Sequence, residues 1–539
     1  MEQYPNQIPE TPEENERAYP AWMRYVPKKK ERRERSYSLI DTVFALLSFP
    51  VAFLAVRATP VDEYPLGALI TTVLILTFGV VYARLNGNRL RLRGILFLAV
   101  AALFSMAYVT NGNETVLFWV SVFLAMSFCA VTYDLCGLAG KRLDPDHIPS
   151  HLIRATLRLP FSHIGAVFGG VKQLGRHSVR MKNFGKSIKY VAIGLVVAMI
   201  PTTVVWALLS YDEGFNAILK DLRDQFSFST DGLWETVGDL ILCVPVAMLL
   251  FGAVYGFRSR AAEVGEEAPL ELSRLHRLPL LLLSVAVTPI LLLYVIFFIS
   301  QWKYYVSAFT HVLPEGLTYA DYAREGFFQL CAVCGINAVI LLLFCLLARK
   351  KDGNRRSVVT SVYAFVISLF TLILIATALS KMLLYIDSYG LTQKRVYASW
   401  FMILLALVFI CVALRQIVRR FPAMTVALIG AVALFGLIAV PNVDAVIADY
   451  NVSAYLSGEL SSPDANVLAE LGVSSVPARV RLEKALLQRE ERSVEEEVLL
   501  LDITNSLDRD AKRLETADSG FFSTSIPRAQ AQKSLSERG

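Results

Sequence analysis

Residues 28–57 read KKKERRERSYSLIDTVFALLSFPVAFLAVR, a basic run set against a stretch whose only charge between Leu39 and Val56 is Asp41. Lipid offers the backbone no hydrogen bonds, so a chain crosses it as a helix of about 20 mainly apolar residues. Basic residues stay on the cytoplasmic side of such helices. The stretch therefore reads as a membrane helix entered from inside, at residues 38–56. The polar stretch before it is too long for a cleavable signal peptide, and no small-residue cleavage pattern follows.

Working outward, ten further runs of spanning length follow, at 65–83, 94–110, 115–137, 188–210, 235–257, 278–300, 326–348, 358–380, 396–414 and 422–440. The fold class is all-α, a polytopic helical integral membrane protein of about 11 transmembrane helices. With 55% hydrophobic and 19% charged residues, the chain is too apolar for a soluble protein and too charged for a bare bundle. Polar parts must flank the membrane part. Of the 53 Lys and Arg, 34 fall in the N-terminal tail and the connections on its side of the membrane, and 8 fall in the alternate connections. The other 11 lie beyond Val440 beside 17 acidic residues. This asymmetry places the N-terminus in and the C-terminus out.

The expected organisation has six parts. Residues 1–37 form a basic cytoplasmic tail and 38–137 a four-helix membrane part. Residues 138–187 form a cytoplasmic interfacial amphipathic connection, with Ile164, Val167, Phe168 and Val171 at helical spacing. Residues 188–440 form a seven-helix membrane domain, 441–485 an external helical segment and 486–539 an acidic, then disordered tail. The lipid bilayer is the expected partner, with contact to anionic lipid through residues 28–35 and 151–187. No nucleic-acid partner and no protein partner can be named.

Several chemistries find no support in the sequence. The run ending Gly185, Lys186, Ser187 lacks the first glycine of a phosphate-binding loop, because Arg180 stands there. His147, His151 and His163 lack companions at metal-ligand spacing. The seven cysteines all fall within apolar runs, which excludes a disulfide framework. No catalytic residue, cofactor or metal is expected. Asn113 and Asn451 match the glycosylation pattern, a three-residue signal too common to weigh.

Polar residues gather on the expected outer face. Before helix eight stands LTYADYAREGFFQL, with Tyr319, Asp321, Tyr322, Arg324 and Glu325. Between helices nine and ten stands SKMLLYIDSYGLTQKRV, with Lys381, Tyr385, Asp387, Tyr389, Gly390, Thr392 and Arg395. After helix eleven comes PNVDAVIADYN, with Asn442, Asp444 and Asn451. These three segments are expected to converge, with Arg324 or Arg395 near an acid. They form either a binding site or an ionic lock between hairpins. Pro50, Pro201, Pro245 and Pro289 interrupt helices one, five, six and seven, as in helices that line transporter sites. Against ion-coupled transport, the helix centres lack charged residues.

The segment LLYIDSYGLTQKRVYASWFM, with YADYAREGFFQL before it and NVDAVIADYNV after it, resembles a family of bacterial polytopic membrane proteins. That family is the domain of unknown function forty-one seventy-three, akin to forty-one fifty-three. The resemblance covers about residues 190–480, leaving out the first four helices and the acidic tail. It implies a bacterial cytoplasmic membrane and an external polar signature, and it brings no established activity. Three readings follow, in order: a permease, channel or lipid-handling protein; a non-enzymatic sensor or scaffold; a membrane enzyme acting on an envelope lipid. A mid-membrane cavity lined by the Pro-containing helices favours the first, and a solid bundle favours the second.

Overall fold

The computed structural model describes residues 37–59, 61, 63–139, 148–174, 231–264, 279–300, 327–347, 357–418, 420–516 and 520–538. All regular structure among them is helical. The helices are α1 Leu39–Arg57, α2 Pro65–Leu85, α3 Leu92–Ser105, α4 Ala107–Thr110, α5 Glu114–Leu135, α6 Ile148–Ile153, α7 Leu159–Ser162 and α8 Ala166–Leu174. There follow α9 Asp231–Val264, α10 Leu280–Ser300, α11 Phe327–Leu347, α12 Val358–Tyr389, α13 Gln393–Ile417 and α14 Ala423–Ala439. The last are α15 Val443–Leu456, α16 Ala465–Glu470, α17 Val476–Leu487, α18 Val494–Thr516 and α19 Ile526–Ser536.

Eight helices among the described residues are long and apolar enough to cross a membrane, or nine if α14 with α15 is one span bent by 61°. The apolar stretch Gln329–Phe344 in α11 is shorter, and the expected helix at 188–210 lies outside the described residues. The chain is an all-α polytopic membrane protein. With the faces named by the charge asymmetry, the N-terminal side inner and the C-terminal side outer, we read α15 as leaving the membrane, because it packs on α17 of a separate core on the outer face.

Local chemistry sets where the helices begin. Ser38 caps α1 in a capping box, its Oγ accepting from Asp41 N at 3.2 Å while its own N donates to Asp41 Oδ2 at 2.6 Å. Pro65 opens α2, where a missing N–H costs nothing. Asn113, Thr392 and Asn442 cap α5, α13 and α15 through their side-chain oxygens.

Two larger membrane clusters, several smaller ones and one outer core result among the described residues. In the first, α9 packs on α1, α5, α7 and α8, and Phe251, Val254 and Phe257 are fully buried there. In the second, α11, α12 and α13 pack together around Cys334, Ala378, Met402 and Phe409. The helices α15 to α19 form the external core, with Ile447, Leu482, Ile503, Leu507 and Ala531 completely buried.

Three expectations need correction. First, α12 runs on to Tyr389, so Lys381, Tyr385 and Asp387 are helical rather than part of a loop. Its 32 residues extend about 48 Å, longer than a hydrocarbon core of about 30 Å. Second, the segment from Thr516 is not a disordered tail, since α19 is helical, with Ala531 in the external core and Arg538 pairing with Glu483. Its polar composition hides two buried apolar positions, Pro527 and Ala531, that suffice to dock it. Third, in the connection at 138–187 the apolar face of α8 meets protein rather than lipid, because Val167 is buried against the cluster of α1 and α9. The residues turned outward there are Ile153, Leu157 and Phe161. The basic run 28–35 lies outside the described residues.

Candidate functional site

At the outer end, Gly390 ends α12 with φ +71 and ψ −175, a combination open essentially only to glycine. The turn it makes presents the Leu391 backbone to Asn451 of α15. The Asn451 amide donates to Leu391 O at 2.8 Å, and its oxygen accepts from Leu391 N at 2.7 Å. A Cβ at residue 390 would stand 2.5 Å from Asn451 Oδ1, so the same glycine also makes room for this contact. Asn451 is 5% exposed and Asn113 8%, so neither is presented for glycosylation.

Asp444 lies two turns earlier in α15 and is 3% exposed. It accepts from Asn113 Nδ2 at 2.9 Å and from Gln393 Nε2 at 3.0 Å. Burial pushes its carboxyl above the ordinary carboxylate range, and the two amide donors draw it part of the way back. Beside it Asn111 Nδ2 donates to the carbonyls of Ile438, Ala439 and Pro441 at 3.3, 3.1 and 3.1 Å. These lie at the end of α14, where helical carbonyls have no partner of their own. Thr110 Oγ1 donates to Val440 O. Thus the Asn111-Gly112-Asn113 loop joins the first half of the membrane domain to the start of the external core.

Arg395 takes a different place from the one expected. Its guanidinium donates to Tyr389 O at 2.9 Å and to Gly390 O, and lies 4.0 Å from the centre of the Tyr385 ring. Tyr385 and Tyr389 meet edge to face at 5.3 Å. The cation thus sits at the carbonyl end of α12, where the helix dipole and a ring face both favour it. Among the described residues neither Arg395 nor the exposed Asp387 has an ion-pair partner. Lys381 is half-buried lower on α12, and Thr392 is used as a cap. Tyr319, Asp321, Tyr322, Arg324 and Glu325 lie outside the described residues. The structure therefore brings together Tyr385, Tyr389, Gly390, Thr392, Arg395, Asn442 and Asp444. Asn451, named with the last segment, holds the Leu391 backbone. Asn111, Gln393 and the structural role of Asn113 were missed, and the only signal for Asn111 and Asn113 was a pair of asparagines around a glycine between two apolar runs.

The inner end holds two ionic clusters. Asp41, fully buried, accepts from Tyr82 Oη at 2.7 Å and from Ser38, and it pairs with Arg258 of α9. Asp134, also buried, pairs with Arg93. Buried charges are tolerated only when paired in this way. His151 meets Tyr133 Oη at 3.0 Å, and His163 packs on Tyr255.

Between these two ends lies a cavity of about 990 Å³, at the top of the roughly 300–1,000 Å³ range of small-molecule sites. Its walls come from α1, α2, α5 and α9, and Thr156, Leu157, Pro160 and Phe161 close its inner end. Along α5 the lining runs from Glu114 to Cys129, a rise of about 22 Å, which is most of the bilayer's hydrocarbon thickness. Pro50 interrupts α1, and Pro245 of α9 directly precedes lining Val246. The lining is apolar except for a few groups, among them Tyr108 and Ser121, whose hydroxyls are 2.9 Å apart. Phe118 and Met126 of α5 line it while remaining exposed, so it opens sideways.

No curated protein and no solved structure matches the chain. A family model matches residues 72–482, so the shared region begins within α2 and takes in the third and fourth of the helices that the resemblance at 190–480 left out, while α1 lies before it. The chain, with its polar outer corner and most of its cavity lining inside that shared region, belongs to the family described as a domain of unknown function, DUF4153.

Proposed function

We propose that this protein handles lipid in the cytoplasmic membrane of a bacterium, with the cavity between α1, α2, α5 and α9 holding the apolar part of a lipid. The cavity is the observation that carries this reading. A polar solute or ion would lose its hydration there with few partners in return, and Glu114 is the only charged residue among the described residues of the lining. An acyl chain loses nothing. The sideways opening lets it enter from the bilayer, and Tyr108 with Ser121 can orient a polar group. Two of the four proline-interrupted helices contribute walls, which favours this reading over a solid scaffold. The outer polar corner acts as a lock, since its buried groups are largely satisfied within the protein and have little left for a ligand.

The test is mass spectrometry of the lipids that survive purification, comparing the protein with Ala125→Trp, which fills the cavity, and Leu437→Trp, on an exposed face of α14. A defined lipid should be retained by the unchanged protein and by the α14 variant and lost from Ala125→Trp. The same lipids in all three proteins would overturn the proposal.

A further inference from the structure

We propose that Phe521, Phe522 and Ile526 form an apolar wedge by which the external C-terminal domain dips into the outer leaflet of the bilayer. Phe521 is 71% exposed, Phe522 54% and Ile526 47%. Two adjacent bare phenylalanines on the polar end of a chain are uncommon unless something apolar covers them. Their place in the fold says what covers them.

The short 3-10 turn Phe521–Ser523 packs on α2. A Cβ at Gly67, two residues after the start of α2, would stand 3.7 Å from Phe522 Cβ. On the other side, α19 packs on α4, and a Cβ at Gly112 would stand 3.8 Å from Pro527 Cβ. Residues 521–527 therefore bridge the outer ends of two membrane hairpins, at the level where helices enter lipid. Aromatic rings are favoured at that depth, and a compact apolar group there is held by the area it buries.

The turn is built to hold the rings outward. Ser523 N donates to Gly520 O at 3.1 Å, and Arg528 donates to Ser523 O at 3.0 Å. Pro527 is buried, which fixes the start of α19 and leaves Ile526 facing out. The bilayer spanned by the chain's own helices is the one apolar phase sure to lie beside this turn. The inference stands whether or not the cavity holds a lipid.

The experiment places a nitroxide label at Phe521→Cys, Phe522→Cys or Ile526→Cys. The full chain is reconstituted into vesicles of phosphatidylethanolamine and phosphatidylglycerol, and the identically treated unsubstituted protein gives the background from native thiols. Val494→Cys is the control, an exposed apolar position at the start of α18, which packs on α16, α17 and α19. The ratio of collisions with oxygen, which concentrates in lipid, to collisions with a water-soluble nickel chelate should be several-fold higher at the wedge than at Val494→Cys. Chelate access equal to that of the control would overturn the proposal by placing the rings in water. Shielding from both reagents would overturn it too, by showing that protein covers them. Three labelling sites guard against failure of any one variant to fold.

Discussion

Replacing Gly390 by alanine should cost the protein about 2–6 kcal/mol, and the sum can be built from the turn. Holding a non-glycine residue at φ +71, ψ −175 costs about 1–3 kcal/mol. The new methyl group would lie 2.5 Å from Asn451 Oδ1, far inside contact distance, so the amide must move away. Moving it breaks its two hydrogen bonds to Leu391, each worth about 0.5–1.5 kcal/mol net. Unfolding in mixed micelles by titration with dodecyl sulfate gives the measurement. The informative comparison is a cycle with Asn451→Ala. In that background the clash and both bonds are already gone, so Gly390→Ala should cost only the backbone strain of about 1–3 kcal/mol. A Gly390→Ala protein as stable as the unchanged one would refute the reasoning. Equal costs in both backgrounds would refute the part assigned to Asn451.

Two shorter predictions concern orientation and pH. A cysteine introduced at exposed Ser461 should react with a membrane-impermeant thiol reagent in intact cells, and one at Ser357 should not; the reverse pattern would invert the topology. Asp444 is an acid whose folded pKa lies above its ordinary 3.8, so the folded state binds the proton more tightly than the unfolded chain. Its contribution is fully present below about pH 3.8 and is lost as pH rises through the folded value. The stability difference between the unchanged protein and Asp444→Asn should therefore grow on acidification across that window, and a flat difference curve would contradict the assignment.

The polar outer corner shows how far pattern reading reaches. Gly390, Thr392 and Asn442 were singled out only as members of a polar cluster, and the structure uses the first as a turn and the other two as helix caps. Arg395 was also singled out, and among the described residues its partners are carbonyls and a ring rather than an acid. A sequence shows that a cation must be satisfied and does not show by what. Asn111 escaped notice because its three acceptors lie 327 to 330 residues away along the chain. The C-terminal segment was misjudged because hydrophobic content measures whether a stretch can fold alone, whereas α19 docks on a core supplied by α15, α17 and α18.

What the sequence by itself determined is the membrane class, the helix positions and the alternation of basic loops. Each of these is a sum over neighbouring residues: transfer of a helix into lipid adds along twenty positions, and orientation follows from counting charges beside them. Only the tertiary structure decided which helices touch, that Asp41 is neutralised by Arg258 and Asp444 held by Asn113, and that a cavity opens between α1, α2, α5 and α9. Inside lipid the hydrophobic effect does not sort helix faces, so contacts there depend on close packing and hydrogen bonds between residues far apart in the chain. Such pairings leave no periodic trace in the sequence.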